Sequence, residues 1–217
     1  MLKVRGRRCV IIGGGAVAQR RAAALLSAGA EVTVIATRIR KELATLKIAI
    51  EHRPYRPSDL AGALLAIVAT DDPKVNAQVS ADARAAGTLV NRADEPDEGD
   101  VTVPAHNHHG PVTVAVDTGG RSAAAAAAIR RELSATLDPN WPRLLDMIKP
   151  VREQIQRTCT DPDRRRKVLA RLSNPDALDR LKSGGADALR QYWSQVSSSL
   201  HPDSGHPSSR GHPCTSR

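Results

Sequence analysis

Val10-Ile11-Ile12-Gly13-Gly14-Gly15-Ala16-Val17-Ala18 is the stretch that decides the fold of this chain. It has the form G-x-G-x-x-A, follows directly on a β-branched run and opens a helical segment rich in Ala and Leu. A glycine loop between a strand and a helix is the context that the dinucleotide-binding fingerprint requires. We expect Gly13 to permit the tight turn and Gly15 to let the backbone approach a pyrophosphate, which the helix N-terminus attracts. Small Ala18 would let the helix pack closely on the strand.

Strands and helices alternate along the chain on either side of this loop. Hydrophobic periodicity predicts strands at Arg8 to Ile12, Glu31 to Ile35, Ile48 to His52, Leu64 to Ala69 and Thr88 to Asn91. The predicted helices are Ala16 to Ala28, Ile39 to Leu46, a turn at Ser58 to Leu60, and Pro73 to Gly87. Alternation with nearly continuous apolar strands is typical of a parallel sheet covered on both faces. The sequence therefore predicts an α/β, Rossmann-like, doubly wound domain over residues 1–113.

The second half of the chain has a different pattern. A last strand is predicted at Val112 to Val116, followed by an Ala-rich helix from Ser122 to Thr136. Further helices are predicted at Trp141 to Arg157, Asp163 to Leu172, Pro175 to Lys182 and Ala186 to Val196. We expect a dimerisation segment at 114–150, a small helical domain at 151–196 and a disordered tail at 197–217. The tail contains His201, His206 and His212, for which a solvated tail is preferred over metal capture.

Composition narrows the classes of function. Of the 217 residues, 41% are hydrophobic and 25% charged, which excludes a disordered or fibrous protein. Aromatic residues make up only 2%, which argues against a protein that stacks the bases of single-stranded nucleic acid. The net charge of +9 favours acidic ligands such as phosphates or polycarboxylates.

The cysteines and the hydrophobic runs indicate the compartment. The three cysteines show no C-x-x-C spacing, which fits a reducing cytoplasm better than a disulfide framework or a zinc site. No apolar run approaches the ~18 residues of a membrane span. We expect a soluble, cytoplasmic protein without nucleic-acid or membrane partners.

The choice of dinucleotide stays open on this pattern. An acidic residue that would bind the adenosine ribose is missing after the second strand, where Ile35-Ala36-Thr37-Arg38 stands. Arg38 could meet the 2′-phosphate of NADP, or it could simply be a solvated residue at the start of a helix. The residues alone therefore allow either NAD or NADP.

Several further segments carry a resemblance to a known family. They are Val10 to Arg21, Gly29 to Val34, Ala69 to Asn76, Val90 to Pro96, Val103 to Ala105, Val114 to Val116 and Thr118 to Ser122. Their order and spacing resemble the precorrin-2 dehydrogenase and sirohydrochlorin ferrochelatase family, the N-terminal module of siroheme synthases. The resemblance covers about residues 3–135, and the combination is far more specific than any one segment.

The resemblance implies a reaction and a set of residues. Members of the family use NAD to oxidise precorrin-2 to sirohydrochlorin, some also insert ferrous iron, and a homodimer is expected. Asp94 matches the functional aspartate of the family and is the candidate acid/base residue. The implied cofactor-binding residues are Gly13, Gly15, Ala16, Val17, Thr37, Arg38, Thr70 and Asp71. The implied substrate-binding residues are Thr118, Gly119, Gly120, Arg121 and His109.

The chain departs from the family pattern at three places. Arg92 and Ala93 replace an apolar pair before Asp94, Asp117 replaces Ser or Thr, and Ala123 replaces a proline. None removes the candidate base, but Asp117 would repel a polycarboxylate substrate.

Three alternatives remain open from the sequence. The chain could also insert ferrous iron at the Asp94 region, or it could be an NAD(H)-sensing regulatory module that needs only the glycine loop. The cluster His106, His108 and His109 suggests a metal site, but adjacent side chains rarely converge on one ion. We expect a basic loop that contacts substrate carboxylates, and no metal site.

Overall fold

A computed structural model describes residues 1–198 and contains a parallel sheet of five strands in the order β3-β2-β1-β4-β5. The strands are β1 (Arg8–Ile12), β2 (Glu31–Ile35), β3 (Ala49–Glu51), β4 (Leu65–Val68) and β5 (Leu89–Arg92). The intervening helices are α1 (Ala16–Ser27), α2 (Lys41–Ala44) and α3 (Pro73–Ala85), with 3₁₀ turns at Pro57–Leu60 and Pro96–Glu98. The sheet is parallel throughout and flanked by helices, so the predicted α/β fold class is confirmed.

The sheet buries apolar side chains on both faces. Alternate residues of β1 point to opposite sides: Cys9 and Ile11 pack with Ala18 and Ala22 of α1, while Val10 and Ile12 join a separate core. That second core contains Val79 and Ala83 of α3. Burial on both faces explains why the strands are nearly continuous apolar runs.

One element differs from the sequence-based expectation. The stretch expected to be a basic loop forms strand β6 (Ala105–His109), which pairs with β7 (Val112–Val116) in a separate sheet of two strands. Gly110 and Pro111 join them, and so short a connection requires an antiparallel hairpin. These residues have low strand propensity, but they adopt this conformation because pairing with β7 satisfies the hydrogen bonds of their backbone N–H and C=O groups. The loop prediction was therefore wrong.

Four helices complete the described chain: α4 (Ala123–Thr136), α5 (Trp141–Thr158), α6 (Pro162–Leu172) and α7 (Pro175–Ser198). α7 is interrupted at Gly185, whose φ of 67° is not helical, so the two predicted helices meet at a kink. Leu144, Leu172, Leu189 and Trp193 share one apolar core.

The chain divides into two compact units. Among the described residues, one unit comprises 1–105 and 117–126, and the other comprises 106–116 and 127–198. The predicted boundaries and the dimerisation role of 114–150 stay predictions, and the predicted tail lies outside the described residues apart from its first two positions. Within residues 1–198, none of the helices is both long and apolar enough to cross a membrane.

Candidate functional site

The glycine loop is held at the carboxyl ends of the central strands. The N–H of Gly13 donates to the carbonyl of Ile35 at 2.9 Å, and φ at Gly13 is +126°, a conformation that disfavours other residues. A Cβ at Gly13 would overlap the carbonyl of Ala69, and one at Gly14 would overlap the carbonyl of Arg38. The first two glycines are therefore required by close backbone packing.

Gly15 differs from its two neighbours because it faces open space. A Cβ there would meet no atom within 4 Å, and its φ of −87° is accessible to any residue. Gly15 is also the N-cap of α1, where no side chain caps the helix and no acidic residue lies in the first turn. The exposed N–H groups of an uncapped helix form an anion-binding site, so this position fits a pyrophosphate.

A cleft of about 990 Å³ opens beside the loop. The predicted cofactor-binding residues that line it are Gly13, Gly15, Thr37, Arg38, Thr70 and Asp71. Ala16 and Val17 lie in the first turn of α1. The walls also include Arg53 and Tyr55, which the sequence analysis missed because they follow the short strand β3 without a recognisable motif. The open position at Gly15 and the uncapped helix end show that the cleft residues fit a dinucleotide.

Asp94 lies just beyond β5, and its carboxylate accepts three hydrogen bonds from other side chains. Arg92 donates from Nε to Oδ1 at 2.8 Å and from Nη2 to Oδ2 at 2.7 Å, which makes a bidentate ion pair. The amide Nδ2 of Asn76 donates to Oδ2 at 2.9 Å. The Asp94 side chain is one-third exposed, whereas Arg92 is buried.

These contacts fix the charge of the carboxylate. The hydrogen bonds from Arg92 lower the pKa of Asp94 well below its usual range, and the Asn76 amide adds to this effect while partial burial opposes it. Asp94 is therefore ionised throughout the neutral pH range. An ionised carboxylate can accept a proton, but the same contacts make it a weak base.

Asn76 connects this carboxylate to the cleft. It is buried in the first turn of α3, where Nδ2 donates to the Thr70 carbonyl at 3.1 Å and Oδ1 accepts from the Thr70 hydroxyl at 2.5 Å. Thr70 itself lines the cleft. Asn76 was not among the site residues predicted from the sequence. Its signal was an amide on the helix face whose other buried positions, Val79, Ser80 and Ala83, are small or apolar.

The predicted substrate-binding segment forms a tight turn before α4. The Thr118 hydroxyl bonds both the carbonyl and the N–H of Ser122, and Arg121 donates to the Thr118 carbonyl at 3.3 Å. The Asp117 carboxylate accepts from the Gly119 N–H at 3.1 Å, which partly satisfies the charge expected to repel an acidic ligand. Arg121 and Gly120 are exposed.

The three histidines of β6 do not share one face. His106 and His108 are exposed with ring centroids 5.4 Å apart, whereas His109 is half-buried and contacts the Asn107 amide at 3.4 Å. His108 bonds the Thr113 hydroxyl of β7 at 3.0 Å. Among residues 1–198, no three His, Cys, Asp or Glu side chains are grouped so as to hold a metal ion.

Comparison with known proteins finds several that are similar to this chain. Residues 1–105 match a family described as putative NAD(P)-binding. A siroheme synthase of Chromobacterium violaceum is 37% identical over 193 residues, and one of Ectopseudomonas mendocina is 39% identical over 166 residues. These alignments cover 87% and 76% of this chain but 41% and 36% of the relatives, so the chain spans about two-fifths of their length.

A solved structure matches over nearly its whole length. The structure of SirC, a precorrin-2 dehydrogenase, superposes with a TM-score of 0.72 at 25% sequence identity. The superposition covers 91% of this chain and 98% of SirC. The fold, the glycine loop and the relatives agree with the resemblance seen in the sequence. The chain belongs to the precorrin-2 dehydrogenase family represented by SirC and the siroheme synthases.

Proposed function

We propose that this protein oxidises precorrin-2 to sirohydrochlorin with NAD as the cofactor, in the synthesis of siroheme. The observation that carries the proposal is the connection between the dinucleotide cleft and an ionised carboxylate, through Thr70, Asn76 and Asp94. The likeness to SirC over 98% of that chain and the likeness to siroheme synthases support the substrate.

The reaction needs two groups removed from the substrate. A hydride leaves a macrocycle carbon, and a proton also leaves the macrocycle. NAD, when bound, would accept the hydride. The glycine loop and the N-terminus of α1 would hold the pyrophosphate of the cofactor in the cleft. Asp94 accepts the proton, and its ionised state at neutral pH suits that role.

Basic groups would orient a substrate that carries many carboxylates. The net charge of +9 raises the local concentration of such a substrate. We assign contacts with its carboxylates to Arg121, His109 and the backbone of Thr118, Gly119 and Gly120. The exposure of Arg121 and Gly120 leaves them accessible for that contact.

Ferrous iron insertion is a second candidate activity at the same site. It would also draw on Asp94, because the pyrrole nitrogens must lose two protons when the metal ion enters. An NAD(H)-sensing module would need the glycine loop but would have no use for the connection from Thr70 to Asp94. That connection favours an enzyme.

We also propose that the protein is a homodimer. Helix α4 exposes Ile129 and Leu133 at 42% and 48%, and these residues lie four positions apart on one face of a helix that is otherwise rich in alanine. Apolar side chains so placed are typical of a surface that packs against a partner. A second copy of this chain is the partner that the family resemblance implies.

A reducing cytoplasm is the proposed location. Cys9 is buried and Cys159 is half-buried, and both are free thiols. Free thiols persist in a reducing compartment, where disulfides are rare.

A sequential assay tests the proposed function. Purified protein is incubated with precorrin-2 and NAD while NADH and sirohydrochlorin are followed by absorbance, and ferrous iron is then added. Dehydrogenation predicts that both signals rise together before iron is present. A further spectral change that depends on protein after iron addition would add the second activity. If NAD binds but neither product forms, the sensing module is the better interpretation.

A further inference from the structure

Arg92 occupies an unusual position for a charged residue. It is the last residue of β5, and only 5% of its side chain is exposed. Its guanidinium donates hydrogen bonds to the carboxylates of Asp94 and Glu95. Burying a guanidinium is unfavourable unless it is fully paired, so this arrangement must be stabilised by those contacts. The buried cation therefore sits directly against the residue assigned to proton transfer.

We propose that Arg92 is a positioning residue that adapts Asp94 to dehydrogenation and works against insertion of a divalent metal ion at the same site. The proposal rests on the proposed function. It identifies which of the two candidate activities the geometry serves.

The geometry limits what Asp94 can do. A carboxylate offers about four lone-pair positions. Arg92 takes one on each oxygen and the Asn76 amide takes a second on Oδ2. Both oxygens are thus engaged by donors, and the carboxylate is held in one orientation. It can accept one proton in a fixed direction but has little capacity or affinity for more.

The two reactions make different demands on such a group. In the oxidation, the departing hydride carries an electron pair to NAD, so the macrocycle is left with a positive charge and an acidic N–H. A weak, permanently ionised base suffices to take that single proton. In metal insertion, two protons leave an uncharged macrocycle and no electrons are transferred. A carboxylate whose proton affinity is suppressed by Arg92 serves that step poorly.

Few charged groups act on Asp94 besides Arg92. The facing residue of α3 is Asn76, which is neutral, and Glu95 acts through the shared guanidinium at 2.7 Å from its Oε2. Replacing Arg92 by a neutral residue would therefore leave Asp94 beside a second carboxylate. Loss of an opposite charge and gain of a like one both raise the pKa of a carboxyl group.

The experiment compares Arg92→Met, Arg92→Lys and wild type. Methionine keeps an unbranched stem like the aliphatic part of arginine but has no charge and no donors, while lysine keeps the charge without the bidentate contact. Arg84→Met is the matched control, because Arg84 makes an exposed ion pair with Glu98 on the same domain. NAD affinity is measured for each variant to show that the fold persists.

Three readouts decide the proposal. The carboxyl ¹³C signal of Asp94, assigned by its loss in Asp94→Asn, is titrated by NMR without any ligand. We expect its midpoint to rise by at least ~1 pH unit in Arg92→Met and by less in Arg92→Lys. The acid limb of the kcat profile should move with it. The ratio of iron insertion to dehydrogenation should rise at least ~10-fold, because one pKa unit is a factor of ten in proton affinity.

Other outcomes overturn the proposal. An Asp94 titration and an activity ratio in Arg92→Met that match those of Arg84→Met would show that Arg92 is only structural. If Arg92→Met does not fold, the same comparison is made with Arg92→Gln, which also removes the charge, and unchanged values there have the same meaning. Failure of the proposed function would be seen separately, because wild type would then form no NADH from precorrin-2.

Discussion

Replacing Gly15 by valine should abolish dinucleotide binding while leaving the fold intact. The added Cβ would project into the cleft, where no protein atom lies within 4 Å, and φ of −87° suits valine. Stability should therefore change by no more than ~1 kcal/mol, the scale of placing an apolar residue at a helix N-cap. The branched side chain would instead occupy the space in which a pyrophosphate approaches the backbone.

The expected loss of affinity follows from the contacts that the side chain would block. Displacing the pyrophosphate from two N–H groups forfeits two hydrogen bonds to a charged group, each worth ~1.5–3 kcal/mol. A total of ~3 kcal/mol or more corresponds to at least a ~100-fold rise in the dissociation constant for NAD. Isothermal titration calorimetry measures the affinity, and thermal unfolding measures the stability of the same preparation.

Gly13→Ala is the variant to compare with Gly15→Val. Gly13→Ala places a Cβ onto the carbonyl of Ala69 at a φ of +126°, so it should lower the unfolding temperature rather than act on the cofactor alone. Gly15→Val with unchanged NAD affinity would refute the assignment of this loop to the pyrophosphate. A Gly15→Val protein that is less stable than Gly13→Ala would contradict the open space at Gly15 and the close backbone contact at Gly13.

Two further predictions concern the cofactor and the assembly. We expect a lower dissociation constant for NAD than for NADP, because Arg40 and Arg53, which line the cleft with Arg38, are paired with Glu42 and Asp59 and are not free to join Arg38 at a 2′-phosphate. Calorimetric titration with both dinucleotides decides this, and tighter binding of NADP would contradict it. The double variant Ile129→Asp, Leu133→Asp should be monomeric by analytical ultracentrifugation while wild type is dimeric, since two buried charges would oppose packing of α4; a dimer that survives both substitutions would place the interface elsewhere.

The sequence was sufficient for the fold of the first domain because local signals and global packing agree there. The β-branched runs of β1 and β4 are buried on both faces, and the glycine loop joins strand to helix as its pattern predicts. The signals at helix ends were equally direct, as at Asp72, whose carboxylate accepts from the N–H of Lys74 at 2.9 Å.

The sequence was insufficient where a partner strand or a distant side chain decides the structure. β6 has low intrinsic strand propensity and forms through its pairing with β7, which no local pattern reveals. The role of Arg92 was also hidden. Its contacts with Asp94 depend on the chain turning back immediately after β5, and Asn76 reaches the same carboxylate from 18 residues away.

The turnover of Asp94→Ala, measured together with its affinity for NAD, tests the central claim most directly. We expect kcat for precorrin-2 oxidation to fall at least ~100-fold, the low end of the contribution of a positioned acid-base group. NAD affinity should change little, because the proposed pyrophosphate site is the separate loop of Gly13 to Gly15. Turnover within a few-fold of wild type would remove Asp94 from the proton transfer, since water would then take the proton and orientation of the two reactants would supply the rate.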